Sequence, residues 1–192
     1  MSADAVFPAE TARLRLRLLR ASDQAFYCSL YKDADTMRHI GPPLDTEHAA
    51  RCFRAARSTS RRAALQRQPL RVVTFVMIEN ATRAPIGIGS LQLGGAQHCE
   101  AEAGIILHRA ARARGYAREA LAALVARVFA AWPVDRIWAQ HSVHHSLAGR
   151  VIGSVGFARG VTTEGGSGRA AMQVWTLDRA SWNSNKNRSR IP

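Results

Sequence analysis

The apolar run Gly104-Ile105-Ile106-Leu107 passes directly into "HRAARARGYAREAL", residues 108–121, and then into a long helical repeat. A strand feeding a helix through so short a turn predicts a mixed α/β layer structure. The turn carries Arg109, Arg112, Arg114 and Arg118, one glycine (Gly115) and one carboxylate (Glu119). Cations in a first helical turn oppose the helix dipole, whereas an anion bound there is stabilised by it. The free N–H groups of a helix start are an anion site. Gly115 has no Cβ to keep a ligand from the backbone, and Ala117 is small for the same reason. The junction therefore predicts a site for a pyrophosphate or similar anion. It is neither a GxGxxG dinucleotide loop nor a GxxxxGK[ST] phosphate loop, so hydride transfer and nucleotide hydrolysis lose support.

The rest of the chain supplies a frame for this junction. Leu14, Leu16 and Leu18 alternate with Arg13, Arg15 and Arg17, which is the period of a half-buried strand. Ser22 is placed to cap a helix over "DQAFYCSLYKDADTMRHI", and Asp45 or Thr46 a second one over 46–64. "LRVVTFVMIEN" and "IGIGSLQL" read as a hairpin, followed by a further strand at about 99–108. Ala117, Leu121, Leu124, Val125, Val128, Phe129 and Trp132 share one helix face, ended by Pro133. A strand at about 134–141, a short helix weakened by Gly149 and Gly153, and two strands joined by "EGGSG" complete the order β-α-α-β-β-β-α-β-α-β-β. The expected organisation is a loose arm at 1–10, one domain at 11–182 and a disordered tail at 183–192.

Charge separates the classes of partner. There are 27 Lys and Arg against 14 Asp and Glu, a net charge of +13, carried almost wholly by arginine. Such a field attracts a phosphorylated cosubstrate, nucleic acid or an acidic protein. No apolar run is long enough to span a membrane, and the first ten residues lack the pattern of a secretory signal. The 3 cysteines, Cys28, Cys52 and Cys99, are unpatterned, which fits free thiols and a cytoplasmic location. "HSVHH" (141–145) has metal-ligating residue types but no further ligands in good spacing, and reads as surface or cosubstrate-facing histidines.

Three ordered segments carry a family resemblance. "R-x-x-G-x-A", from Arg112 to Ala117, resembles the acetyl-CoA pyrophosphate loop of the GNAT acyltransferase superfamily. "ARLRLRLLRASDQAFYCSLYKDADTMRHIG" and "AEAGIILHRAARARGYAREAL" resemble the ribosomal-protein N-terminal acetyltransferase branch, and "RVIGSVGF" resembles its late helix and strand. The resemblance covers about residues 11–178. It implies an α/β (α+β) acyl-CoA N-acyltransferase fold, a mixed seven-stranded sheet splayed between its fourth and fifth strands. It further implies that pantetheine enters the splay near Leu107, with Leu107 N–H an oxyanion donor. Main-chain N–H groups of Arg112, Ala113, Arg114, Gly115, Tyr116 and Ala117 would hold the pyrophosphate.

The same resemblance places the chemistry. A glutamate at the start of the fourth strand is the branch's usual base. Glu102 matches it, and Glu100 lies two residues away on the same strand face, so the two stay unseparated. The branch's Asn-x-x-Ser falls on His145 and Ala148, so the usual proton donor to the thiolate is missing; His145, assigned to the cosubstrate, its neighbour Ser146 and Ser142 near the end of the strand stay open as donors. The expectation is an acetyl-CoA-dependent N-acetyltransferase acting on a primary amine, either a protein N-terminus or a small molecule, as a monomer or homodimer. A non-catalytic acyl-CoA-binding module on the same fold is the alternative, and a nucleic-acid-binding protein, supported by charge alone, a third reading.

Overall fold

The computed structural model describes residues 7–65, 72–94, 99–165 and 170–188. A mixed eight-stranded sheet runs in the order β1-β2-β3-β4-β5-β6-β8-β7. Its strands are β1 (Ala9–Glu10), β2 (Leu14–Leu18), β3 (Val72–Glu79), β4 (Pro85–Gly94), β5 (Glu100–Leu107), β6 (Arg136–Ser142), β7 (Ala158–Thr163) and β8 (Met172–Asp178). The helices are α1 (Gln24–Lys32), α2 (Ala34–Met37), α3 (Thr46–Leu65), α4 (Tyr116–Ala131), α5 (Ser146–Ser154) and α6 (Arg179–Arg188). Every neighbouring pair of strands is antiparallel except β5 and β6, which are parallel.

The alternation read in β2 is the burial observed: Leu14 and Leu16 are fully buried. Two cores follow, one on each sheet face. The larger joins Leu14, Leu16, Phe75, Met77, Ala101 and Ala103 to Leu121, Leu124, Val125 and Val128 of α4 and Ile152 of α5. The smaller joins Tyr27 and Leu30 of α1 and Phe53 of α3 to Val76, Ile78 and Ile88, with Ile106 packed against them. Ser60 is buried among these groups, and its Oγ accepts from Thr74 N–H at 2.8 Å, so the polar atom is satisfied.

Four expectations change. The sheet has eight strands rather than seven, because Ala9–Glu10 pairs with β2 and Phe7 is buried against Phe75. Ala9–Glu10 thus belongs to the sheet and Phe7 to the core, not to a loose arm; residues 1–6 lie outside the described residues. The helix after β2 is broken at Asp33, whose carboxylate caps α2 by accepting from Thr36 N–H at 3.0 Å. Its start is organised by Asp23 rather than Ser22: Asp23 is buried, grips Arg17 through two hydrogen bonds of 2.8 and 2.9 Å, and accepts from Arg20 N–H at 2.7 Å. Finally, the first half of the expected tail is helical, since α6 continues to Arg188. Arg179 at its start donates to the carbonyls of Phe129, Trp132 and Val134, satisfying the open C-terminal end of α4.

α4 is the element that seats the junction, and Leu124 is its fully buried centre. Leu124→Ala should cost about 2–5 kcal/mol of stability, read as a shifted denaturant midpoint with an unchanged slope.

Candidate active site

β5 and β6 stay paired for three residues only, Glu100–Arg136, Ala101–Ile137 and Glu102–Trp138. Beyond that point β5 continues with β4 as far as Leu107, and β6 continues with β8 as far as Ser142. A gap therefore opens in the sheet towards the C-terminal ends of both strands. His108 N–H donates to Ile86 O at 2.9 Å, towards β4. Strand amides alternate in direction, so Leu107 N–H faces the gap.

The loop at the end of β5 begins with a turn in which Arg112 N–H bonds Arg109 O at 3.2 Å. Ala113 and Gly115 both have left-handed backbones, φ 59° and 80°. Left-handed residues in a turn aim successive N–H groups to one side, the geometry of an anion nest. Gly115 is the N-cap of α4 and no side chain caps that helix. The first-turn amides of Tyr116, Ala117 and Arg118 are thus left for a ligand or water. This cradle suits an anion, and the residues present fit the pyrophosphate of a CoA thioester.

Side chains hold the loop from behind. Tyr116 is buried, and its hydroxyl donates to Glu79 at the end of β3, which also accepts from Thr82 Oγ1 at 2.7 Å. The Tyr116 hydroxyl bond, with Arg114 and Arg13 nearby, holds the Glu79 carboxyl below its usual pKa. The guanidiniums of Arg13 and Arg114 lie 4.6 and 5.0 Å from the Tyr116 ring centre. Arg13 also donates to Arg114 O at 3.1 Å and to Glu119 at 2.7 Å. Arg13, Glu79 and Glu119 were not picked out as loop supports from sequence. In a strand alternation Arg13 reads as a solvent-facing residue, and nothing local links it to residue 119.

Arg112 differs from its neighbours. Its guanidinium donates to Leu107 O at 3.2 Å, Asp35 Oδ2 at 2.5 Å and Thr36 Oγ1 at 2.8 Å. The side chain is committed to β5 and α2 rather than to the cradle.

The two candidate carboxylates now separate. Glu100, Glu102 and Ile106 share the sheet face packed by α1 and α3. Glu100 is ion-paired with Arg136 at 3.1 Å, at the closed end of the β5–β6 pairing. Glu102 stands where the strands part. It accepts from Gln140 Nε2 at 3.2 Å, a neutral donor on β6. Burial raises its pKa above the usual carboxylate value, and the Gln140 bond offsets part of that rise. A carboxyl with a raised pKa is a stronger base than an ordinary carboxylate.

On the opposite lip, His145 is the N-cap of α5. It stacks on His39, ring centres 4.4 Å apart and planes 13° apart, and meets His141 edge-on at 6.5 Å. Burial lowers its pKa, helped by His39, His141 and Arg112. His141 Nε2 accepts from Trp175 Nε1 at 3.0 Å, which places the His141 proton on Nδ1, beside Ser142 O at 2.8 Å. Gly149, read as a weak point of α5, permits this packing: a Cβ there would lie 3.0 Å from His141 Nε2. Among the described residues no three His, Cys, Asp or Glu side chains are grouped to hold a metal. Nor is any helix there long and apolar enough to cross a membrane.

Comparison with known proteins agrees with this fold. The chain belongs to the acetyltransferase (GNAT) family, whose domain matches residues 13–158. It is similar in fold to a GNAT-family acetyltransferase from Bacillus anthracis (TM-score 0.75, 16% identity, 88% of this chain and 97% of that one). It also resembles the spermidine N-acetyltransferase of Vibrio cholerae in complex with CoA and spermine (TM-score 0.73, 18% identity, 90% and 99%). A third similar fold is a ribosomal-protein-serine acetyltransferase assigned in Vibrio cholerae (TM-score 0.74, 19% identity, 93% and 99%). No curated protein sequence matches the chain significantly.

Gly115→Glu should abolish CoA binding, because it puts a carboxylate and a strained left-handed backbone into the cradle. Calorimetry on the folded variant checks this; unchanged affinity would move the site elsewhere.

Proposed function

We propose that the protein transfers the acetyl group of acetyl-CoA to a primary amine by direct attack within a ternary complex. The observation that carries this is a gap beginning at Glu102 and ending beside the uncapped start of α4. Acetyl-CoA is the cosubstrate, its thioester reached through the gap and its pyrophosphate held by the 113–118 amides. Glu102, directly or through water, takes the proton of the acceptor ammonium. The amine nitrogen then bonds to the acetyl carbon as the carbon–sulfur bond breaks. Leu107 N–H faces the position where charge develops on the carbonyl oxygen. The thiolate is a fair leaving group, since a free thiol has a pKa of about 8.5, so a strong acid is not required. His145 offers a hydrogen bond on that side, whereas Ala148 offers none.

We further infer that the acceptor is a protein N-terminal α-amine, not a polycation. A polyamine or aminoglycoside needs several free carboxylates near the attacking nitrogen. Asp35 is held by Arg112 and Arg38, Glu47 by Arg51, Glu79 by Arg114 and Glu100 by Arg136. Asp33 and Asp45 cap helices. Glu102 is then the carboxylate at the gap whose described partner is neutral. Glu164, exposed past the end of β7, is the further acid at that end of the sheet. A cytoplasmic location accords with three free cysteines.

Thiol release from acetyl-CoA against peptide N-termini, polyamines and aminoglycosides tests this directly. The expected result is turnover on peptides with neutral or acidic second residues and little on polycations. Tight acetyl-CoA binding with no turnover on any amine would instead favour an acyl-CoA-binding module.

Glu102→Gln should lower kcat by about 10²–10⁴-fold with little change in acetyl-CoA affinity. A base must be deprotonated, so kcat/KM should fall as pH drops through the raised Glu102 pKa. Gln140→Leu removes the bond that lowers this pKa, so the acid limb should move to higher pH. A limb that stays in place would show that Glu102 is not the titrating base.

A further inference from the structure

We propose that α2 is a strut joining the two lips of the open sheet, and that Arg112, Asp35 and His39 are positioning residues for the acceptor rather than cosubstrate ligands. This rests on the acetyltransferase reading above.

α2 has four residues, too few to be stable as an isolated helix. It is held from both sides of the gap. On the β5 side the Arg112 fork spans from Leu107 O to Asp35 and Thr36. Three of its donors are thereby used, and a planar guanidinium so committed is not aimed at the 113–118 amides. Asp35 also holds Arg38, and Asp33 accepts from both the N–H and the hydroxyl of Thr36. On the β6 side His39, two residues past α2, lies flat on His145. His145 in turn caps α5 and meets His141, which Trp175 and Ser142 fix in place.

Between these lips the strands make no ladder beyond Glu102–Trp138. Side-chain contacts through α2 therefore take over where the backbone pairing ends. Through Arg112 the strut reaches Leu107 O at the end of β5, where the thioester carbonyl is read to sit, and through His39 it meets the helix cap opposite. Its position sets how close an amine on the α1 and α3 face comes to that carbonyl. A misplacement of about 1 Å in reacting groups costs on the order of 10²-fold in rate.

The test compares Arg112→Gln, Asp35→Asn, the double variant and His39→Asn, each with calorimetric acetyl-CoA binding and steady-state kinetics on the best peptide acceptor. All four should keep acetyl-CoA Kd within about twofold, while acceptor kcat/KM falls about tenfold or more. The double variant should lose no more than the worse single one, because both remove the same contact. Arg112→Lys keeps the charge and loses the fork, so it should behave as Arg112→Gln does. A tenfold or greater loss of acetyl-CoA affinity in Arg112→Gln, with Asp35→Asn unaffected, would make Arg112 a phosphate ligand and overturn the proposal. Unchanged acceptor kinetics in His39→Asn would overturn it as well, and that variant serves if Arg112→Gln does not fold. Failure of the unsubstituted protein to bind acetyl-CoA would instead overturn the underlying acetyltransferase reading.

Discussion

The parallel pairing of β5 and β6 lasts three residues and then stops, and the site is organised around that stop. A parallel pair needs a crossover helix, and α4 is that helix. The chain must therefore turn sharply at the end of β5, which puts an uncapped helix start beside the open ends of both strands. The turn uses left-handed backbone at Ala113 and Gly115. One geometric decision thus yields the gap, the amide cradle and the position of Glu102. The buried Tyr116–Glu79 contact, covered by Arg13 and Arg114, anchors the turn to the end of β3.

Electrostatics then sort the carboxylates. In a chain with a net charge of +13, most acids acquire an arginine. Glu119 takes Arg13, Asp23 takes Arg17, Glu100 takes Arg136 and Asp35 takes Arg112. Each exposed pair contributes little to stability, but each commits its carboxylate to a cation. Glu102 has only a neutral amide for a described partner and is half-buried, and that burial raises its pKa. The arginine excess thus leaves Glu102 as the carboxylate at the gap that no described cation holds, which is why it is proposed as the base.

Much of this was legible in the sequence where periodicity is long. The β2 alternation, the α4 face and the strand-to-helix junction appear where they were expected. Glu100 and Glu102 could not be separated because a period of two puts both on one face. What separates them is Arg136, and its register with Glu100 is a long-range fact. β1 is two residues long, below any periodic window, and is fixed by its pairing with β2 and by the burial of Phe7 beside it. α6 has a weakly helical, polar sequence; Arg179 bonding the end of α4 and Trp182 packing on Phe129 anchor it. The role of Arg112 was hidden for a similar reason, since its partners lie 76 and 77 residues away.

The most direct test of the central claim is a backbone amide NMR titration of the protein with acetyl-CoA. The account predicts saturable, one-site shifts concentrated at residues 105–107 and 113–118, together with His145, while the closed end of β5–β6 at Glu100 and Arg136 stays in place. Binding that perturbs other residues, such as the α3 surface, and leaves 113–118 unmoved would contradict it.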